Sequence, residues 1–297
     1  MSTIERFAVA DGAELTVVRA GDPAADVTVV LSHSYAQDHR VWHRVLETLP
    51  VAVERPVQVL AYDHRGHGSS TAADAATATV ERLGDDLAEL IAGVVPRGRV
   101  VLAGHGMGGL AVMALTVRHQ ALFAERVAGL AFLSTAASWL AEPAWASPVG
   151  RVAQDLRAIL GPRLDGLVVD RVAKRIDKAT SVGLRWLLLG DDPDPDDVRL
   201  VADMVSAHWP DTVALFRPGL DRYDREAALA VAADTPVVAM VGDRDRLVPA
   251  SHAAALAGAV QDGTAVVLPG LGHMLPLEGV AQVLPRLVGL AHAALRR

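Results

Sequence analysis

Residues 102–110 read LAGHGMGGL. The run Val100–Ala103 is short and β-branched, as a strand buried on both faces should be. It enters a glycine-rich turn and then an apolar, helix-compatible stretch, Leu110–Arg118. Strand, tight turn, helix is the local reading. Gly104, Gly108 and Gly109 allow the turn and a close approach of helix to strand. The run GHGMGG is not a phosphate loop of the P-loop kind, because no Lys-Ser/Thr pair follows it.

The same alternation extends outward. Leu15–Arg19, Val27–Ser32, Val57–Tyr62, Val127–Leu133, Pro236–Val241 and Ala265–Leu268 read as strands, most of them buried on both faces. Val80–Val95 carries apolar residues at 80, 83, 87, 90, 91 and 94, a 3.6-residue period. Pro249–Ala259 and Val280–Leu295 read as further helices. Strands alternating with helices imply an α/β fold: a mostly parallel sheet with right-handed crossovers. The alternation breaks between about 138 and 228. Helical patterns at Val149–Leu160, Leu164–Leu189 and Val198–Ala207 fill that interval, with four of the five tryptophans, Trp139, Trp145, Trp186 and Trp209. The acidic run Asp191–Asp197 reads as a solvated loop between helices. The expected organisation is a core over 1–137, an inserted helical cap over 138–228 and the rest of the core over 229–297. Trp139, Trp145 and Trp186 are expected to pack the cap and to line a substrate pocket beneath it.

Composition bounds the function. The 297 residues are 51% hydrophobic and 21% charged, which excludes a disordered chain. Net charge is −7, with no dense Lys/Arg run, so no nucleic-acid partner is expected. The absence of cysteine excludes disulfides, thiolate catalysis and Cys-based zinc sites. No stretch of about 20 apolar residues and no signal-like N-terminus occur, so a cytoplasmic protein without a membrane partner is expected. Only two lysines, Lys174 and Lys178, among many arginines and alanines suggest a high-GC bacterial source. Nothing in the sequence sets the oligomeric state.

Five segments carry the chemistry: LSHSYAQDHRVW (31–42), AYDHRGHGSS (61–70), LAGHGMGGL, VGDRDRLVP (241–249) and GLGHMLP (270–276). In this order, each at an expected strand end, they resemble the α/β-hydrolase superfamily across the whole core. The resemblance implies a mostly parallel central sheet flanked by helices, with an inserted helical cap. It implies no cofactor and no metal. It also places the nucleophilic Ser at the middle of the G-x-S-x-G elbow. Here that position is Gly106, and neither Cys nor Asp replaces it. The resemblance assigns the catalytic base to His273 and the acid that orients it to Asp245, with Asp243 as the alternative by register. A carboxylate on one imidazole nitrogen fixes the tautomer and frees the other to move protons. The oxyanion donors by position are the backbone N–H groups of Tyr35 and Met107. The family's His-Gly before them is His33-Ser34 here, and both residues are candidate substrate contacts. The alternative for Ser34 is a local turn hydrogen bond. Asp63, His64 and His67 cluster, but in the family that loop is structural, held by Asp63 and Arg65.

Three functions are compatible with a missing elbow serine. One is an ordinary serine hydrolase inactivated by a Ser-to-Gly change. The second is a natural enzyme using His273 and Asp245 as a general base without covalent catalysis, as in elimination by a lyase or proton transfer on an apolar small molecule, for example in natural-product tailoring. The third is a ligand-binding protein. Losing a serine nucleophile costs about 10⁶ in kcat, whereas a positioned base still supplies roughly 10²–10⁴. Because the elbow and the oxyanion loop both depart from the family, the second is favoured. On that reading Gly106→Ala is tolerated unless the substrate fills the space.

Overall fold

The computed structural model describes residues 2–136, 183–208, 211–220 and 226–296. Eight strands form one sheet: β1 (Thr3–Ala8), β2 (Glu14–Gly21), β3 (Val27–Ser32), β4 (Gln58–Tyr62), β5 (Arg99–His105), β6 (Val127–Leu133), β7 (Val237–Gly242) and β8 (Gly263–Leu268). Their order is β1-β2-β4-β3-β5-β6-β7-β8. Strand β2 runs antiparallel to β1 and β4; every other pairing is parallel. The α/β fold expected from the alternation is therefore the fold observed.

The helices are α1 (His43–Ala52), α2 (Val80–Val94), α3 (Met107–Arg118), α4 (Gln120–Arg126), α5 (Pro195–His208), α6 (Asp211–Leu220), α7 (Glu226–Val231), α8 (Ser251–Gly258), α9 (Leu275–Glu278) and α10 (Val280–Ala294), with a helical stretch at 183–188. The apolar stripe of α2 is buried at all six positions of its period. Thr79 caps it by accepting from the Arg82 N–H at 3.1 Å. Helices α2, α3 and α8 pack on one face of the sheet. Helices α1 and α10 pack on the other, with Trp42 fully buried beside them. Strands β3, β4 and β6, covered on both sides, are buried at every residue, which is why they read as unbroken apolar runs.

Two expectations need correction, and one strand was not foreseen. The segment Ala265–Leu268 belongs to β8, which is mostly exposed because it is the sheet edge, not a strand covered on both faces. Strand β1, at the other edge, has no apolar run to announce it. The acidic run Asp191–Asp197 is only half a loop: α5 starts at Pro195. Proline suits the first helical turn, and Asp196 and Asp197 there complement the helix dipole. Asp197 is buried against Arg44, its Oδ2 2.8 Å from Nη1. The pattern Val149–Leu160 and most of Leu164–Leu189 lie outside the described residues. Leu188, Leu189, Val201 and Met204 join the cluster beneath α1 and α10. Phe216 packs with Leu83, Met107 and Ala111.

The chain passes from β3 to β4 on one side, then crosses to β5 on the other. This reversal opens a crevice at the carboxyl ends of β3 and β5, where open α/β sheets bind ligands. The parallel register pairs Ser32 with Gly104. Residues 34 and 106, each two positions further on, thus leave the sheet side by side.

Candidate active site

The turn after β5 is a strained elbow. Gly106 takes φ +50° and ψ −114°, a conformation that side chains rarely adopt. Its N–H donates to Leu133 O at 3.0 Å and its carbonyl accepts from Gly109 N at 3.0 Å. Helix α3 begins at once with Met107, so its first N–H groups point into the crevice. The close approach expected of the other glycines is real. A Cβ on Gly108 would run into the Ser32 carbonyl, and one on Gly104 would meet Gly109.

The loops after β7 and β8 bring Asp245 and His273 together. His273 Nδ1 lies 3.0 Å from Asp245 Oδ2, and the Asp245 side chain is fully buried. Asp245 Oδ1 accepts from the N–H groups of Leu247 at 2.8 Å and Val248 at 2.9 Å. Burial pushes this carboxyl up, but the His273 ring and the two N–H donors outweigh it and hold Asp245 below the usual carboxylate range. A carboxylate only accepts, so Nδ1 of His273 carries its proton. Neutral His273 therefore presents an unprotonated Nε2. That atom faces the elbow: a Cβ on Gly106 would stand 3.5 Å from it. Asp243 is otherwise engaged, accepting from Gly270 N at 2.7 Å.

Three residues that sequence reasoning missed hold this base. Glu278 of α9 accepts from Gly190 N at 2.5 Å, Gly272 N at 3.4 Å and Met274 N at 3.1 Å. Burial nevertheless raises its carboxyl pKa. His105 lies under His273, ring centroids 4.9 Å apart, and its Nε2 donates to the His273 carbonyl at 2.9 Å. Full burial, then the neighbouring His273, lower its pKa to about 3, so it is neutral. Gln37 contacts His105 Nδ1 at 3.1 Å and Met274 Sδ at 3.2 Å. His273 N–H and Met274 N–H both donate to Leu188 O, at 2.8 and 3.2 Å.

The oxyanion loop after β3 holds the decisive contact. Ser34 is buried, and its Oγ accepts from the Met107 N–H at 3.4 Å, from 73 residues away in sequence rather than within a local turn. A Cβ on Gly106 would collide with that Oγ and lie 2.9 Å from Ser34 Cβ. Gly106→Ala is therefore not accommodated as expected. Ser34 already fills the space, and the positive φ adds strain. Tyr35 is half-buried, packed near Met107 and Phe216. His33 turns inward, where its Nδ1 donates to Ser34 O at 2.7 Å and its Nε2 accepts from His64 N at 2.9 Å. It locks the loop rather than facing the crevice.

Trp186 is 59% exposed, with the Arg246 guanidinium 4.9 Å over its ring. Trp139 and Trp145 lie outside the described residues. Asp63 anchors its loop, accepting from His39 N and Nδ1 at 2.8 Å and from Ser69 N at 2.9 Å. Arg65 pairs with buried Asp86 through Nε–Oδ2 at 2.5 Å and Nη2–Oδ1 at 2.7 Å. His64 is buried against Ser32 Oγ at 3.0 Å, and burial followed by repulsion from His67 lowers its pKa to about 3. Asp38, His39 and Asp63 bring ligand-type atoms within 4.8 Å of one another. Arg40 takes both Asp38 oxygens and the loop takes those of Asp63, so the group reads as an anchor.

A sequence profile of the family described as "Serine aminopeptidase, S33" matches residues 23–279. The chain belongs to that family. The chain is an α/β-hydrolase-superfamily protein, and its relatives include hydrolases. Epoxide hydrolase A of Mycobacterium tuberculosis is 35% identical over 134 residues, 45% of this chain and 39% of that protein. The chain thus spans well under half of that relative's length in the match. The pimeloyl-[acyl-carrier protein] methyl ester esterase of Yersinia enterocolitica is 25% identical over 250 residues, 84% of this chain and 86% of that one. The crystal structure of a putative aryl esterase from Burkholderia cenocepacia superposes with a TM-score of 0.78 at 22% identity, covering 99% of this chain and 100% of that one. That likeness shows the fold. Among the described residues no helix is long and apolar enough to cross a membrane.

Proposed function

We propose that this protein is an enzyme in which His273, oriented by Asp245, acts as general base on a small molecule bearing a carbonyl group, with hydrolysis of an ester-class bond as the reaction. The observation that carries this reading is the buried His273–Asp245 contact of 3.0 Å, with Nε2 aimed at the elbow. A binding protein has no use for a carboxylate that fixes a histidine tautomer. The Met107 N–H at the start of α3 supplies an oxyanion donor, and the Tyr35 N–H is the second by position. Esterase relatives favour ester hydrolysis over other carbonyl chemistry. The test is p-nitrophenyl acetate turnover by wild type and His273→Ala. A loss of about 10²–10⁴ in kcat/KM is expected from removing a general base, and equal rates would refute the reading.

A second reading rests on Gly106, which offers no side chain for attack. His273 then removes a proton from substrate carbon, as in elimination of a carboxylate. Deuterium uptake from heavy water into a β-acyloxy ketone, without hydrolysis of simple esters, would favour that route. An inactivated hydrolase is the weaker account. A change at 106 alone would leave a small residue at 34, whereas Ser34 already fills the space.

A further inference from the structure

Ser34 and Gly106 end neighbouring parallel strands at the same height, as the Ser32–Gly104 register requires. Their side chains compete for one volume. Rotating Ser34 about χ1 would move its Oγ away from a Cβ at 106, but Ser34 Cβ would still lie 2.9 Å from it, closer than such atoms approach. A side chain at 106 requires Ser34 to swing away and its backbone to give, whereas the side chain at 34 is already in place.

We infer that the nucleophilic hydroxyl of this site has crossed from the end of β5 to the end of β3, and that Ser34 is the catalytic nucleophile. The inference rests on the reading of His273 as the base. Ser34 Oγ lies in the volume that a side chain at 106 would enter, beside a Cβ position that is itself 3.5 Å from His273 Nε2. The Met107 N–H at 3.4 Å polarises the hydroxyl. No hydrogen bond joins Ser34 Oγ to His273 Nε2 in the resting site, among the described residues. Catalytic contacts of this kind commonly tighten only with substrate bound. The exchange preserves the donor pair, because the Tyr35 and Met107 N–H groups are backbone and each follows one of the two exchanged positions.

The chemistry balances without a further reactant. Ser34 Oγ forms a bond to the acyl carbon while its proton passes to His273 Nε2. The carbonyl oxygen takes the negative charge and the Met107 N–H. Collapse breaks the bond to the alkoxy leaving group, which departs with the proton from His273. Water, deprotonated by His273, then attacks the acyl-serine. The carboxylic acid leaves and Ser34 regains its hydrogen.

The test uses the full chain and an alkyl fluorophosphonate, read by intact-protein mass spectrometry and peptide mapping. Attack by Ser34 Oγ forms an O–P bond and expels fluoride. One adduct is expected, on Ser34. It should vanish in Ser34→Ala, form about 10²-fold or more slowly in His273→Ala, and move to position 106 in the exchanged variant Ser34→Gly/Gly106→Ser. An adduct on any other residue in wild type overturns the inference, as does no adduct at all. If p-nitrophenyl acetate turnover survives Ser34→Ala but not His273→Ala, the base stands and the nucleophile falls. If Ser34 labels equally fast with and without His273, the nucleophile stands and the base falls. Ser34→Ala retaining the wild-type melting temperature separates loss of labelling from loss of fold.

Discussion

The steric competition between positions 34 and 106 can be measured as a coupling energy. Gly106→Ser places a side chain at φ +50°, where a Cβ collides with Ser34 Oγ and lies 2.9 Å from Ser34 Cβ. The backbone term costs roughly 1–3 kcal/mol. Overpacking adds about 1–3 kcal/mol. Ser34→Gly in wild type removes one hydrogen bond, to the Met107 N–H, worth about 1 kcal/mol. In the double variant the overpacking term disappears and only the backbone term remains. The two changes together should therefore cost about 1–3 kcal/mol less than their sum. At about 2 °C per kcal/mol for a chain somewhat longer than 150–250 residues, the double variant should melt about 2–6 °C above the additive expectation. Urea unfolding of the four proteins, with unchanged m-values, gives the cycle directly. Additivity within about 0.5 kcal/mol would refute the claim that the two positions share one volume.

Stability should fall in mild acid. His64 and His105 are buried and neutral, each with a pKa near 3 in place of 6.5, so the unfolded chain binds their protons first. Their contribution is intact above about pH 6.5 and declines down to about pH 3, at about 1.4 kcal/mol per pH unit for each histidine. Urea midpoints between pH 7 and 4 report the slope; a flat profile from pH 6.5 to 5 would exclude it, and His105→Asn should reduce it by about half. Asp86→Ala leaves the buried Arg65 guanidinium without its bidentate partner, which should cost about 3–5 kcal/mol. A change below about 1 kcal/mol in urea unfolding would show that Asp11, 2.9 Å from Arg65 Nη2, compensates.

The fold was legible because each chemistry-bearing segment sits at a strand end, where a buried apolar run gives way to a polar turn. The resemblance of those segments to the superfamily pointed to His273 and Asp245, and the structure places them 3.0 Å apart. The edges were harder to read. Strand β1 pairs on one side only and β8 is mostly exposed, so neither carries the signature of a strand covered on both faces. The parts of the site left unread depend on long-range proximity. Gln37 meets Met274 across 237 residues, and Glu278 reaches Gly190 across 88. No local pattern marks such contacts. Ser34 was visible as a departure from the family, but its relation to Gly106 needed the β3–β5 register.

The Leu188 carbonyl sets a limit on modularity. It accepts from His273 and Met274, and Gly190 beside it donates to Glu278 and packs so closely on Gly270 that a Cβ would strike its carbonyl. Residues 188–190 therefore pack as part of the histidine loop, although they fall within the interval 138–228 expected from the sequence to be a cap. Grafts that exchange part of that interval should place their downstream junction before residue 183. A transplant that carries its own residues through 190 replaces the support of the base.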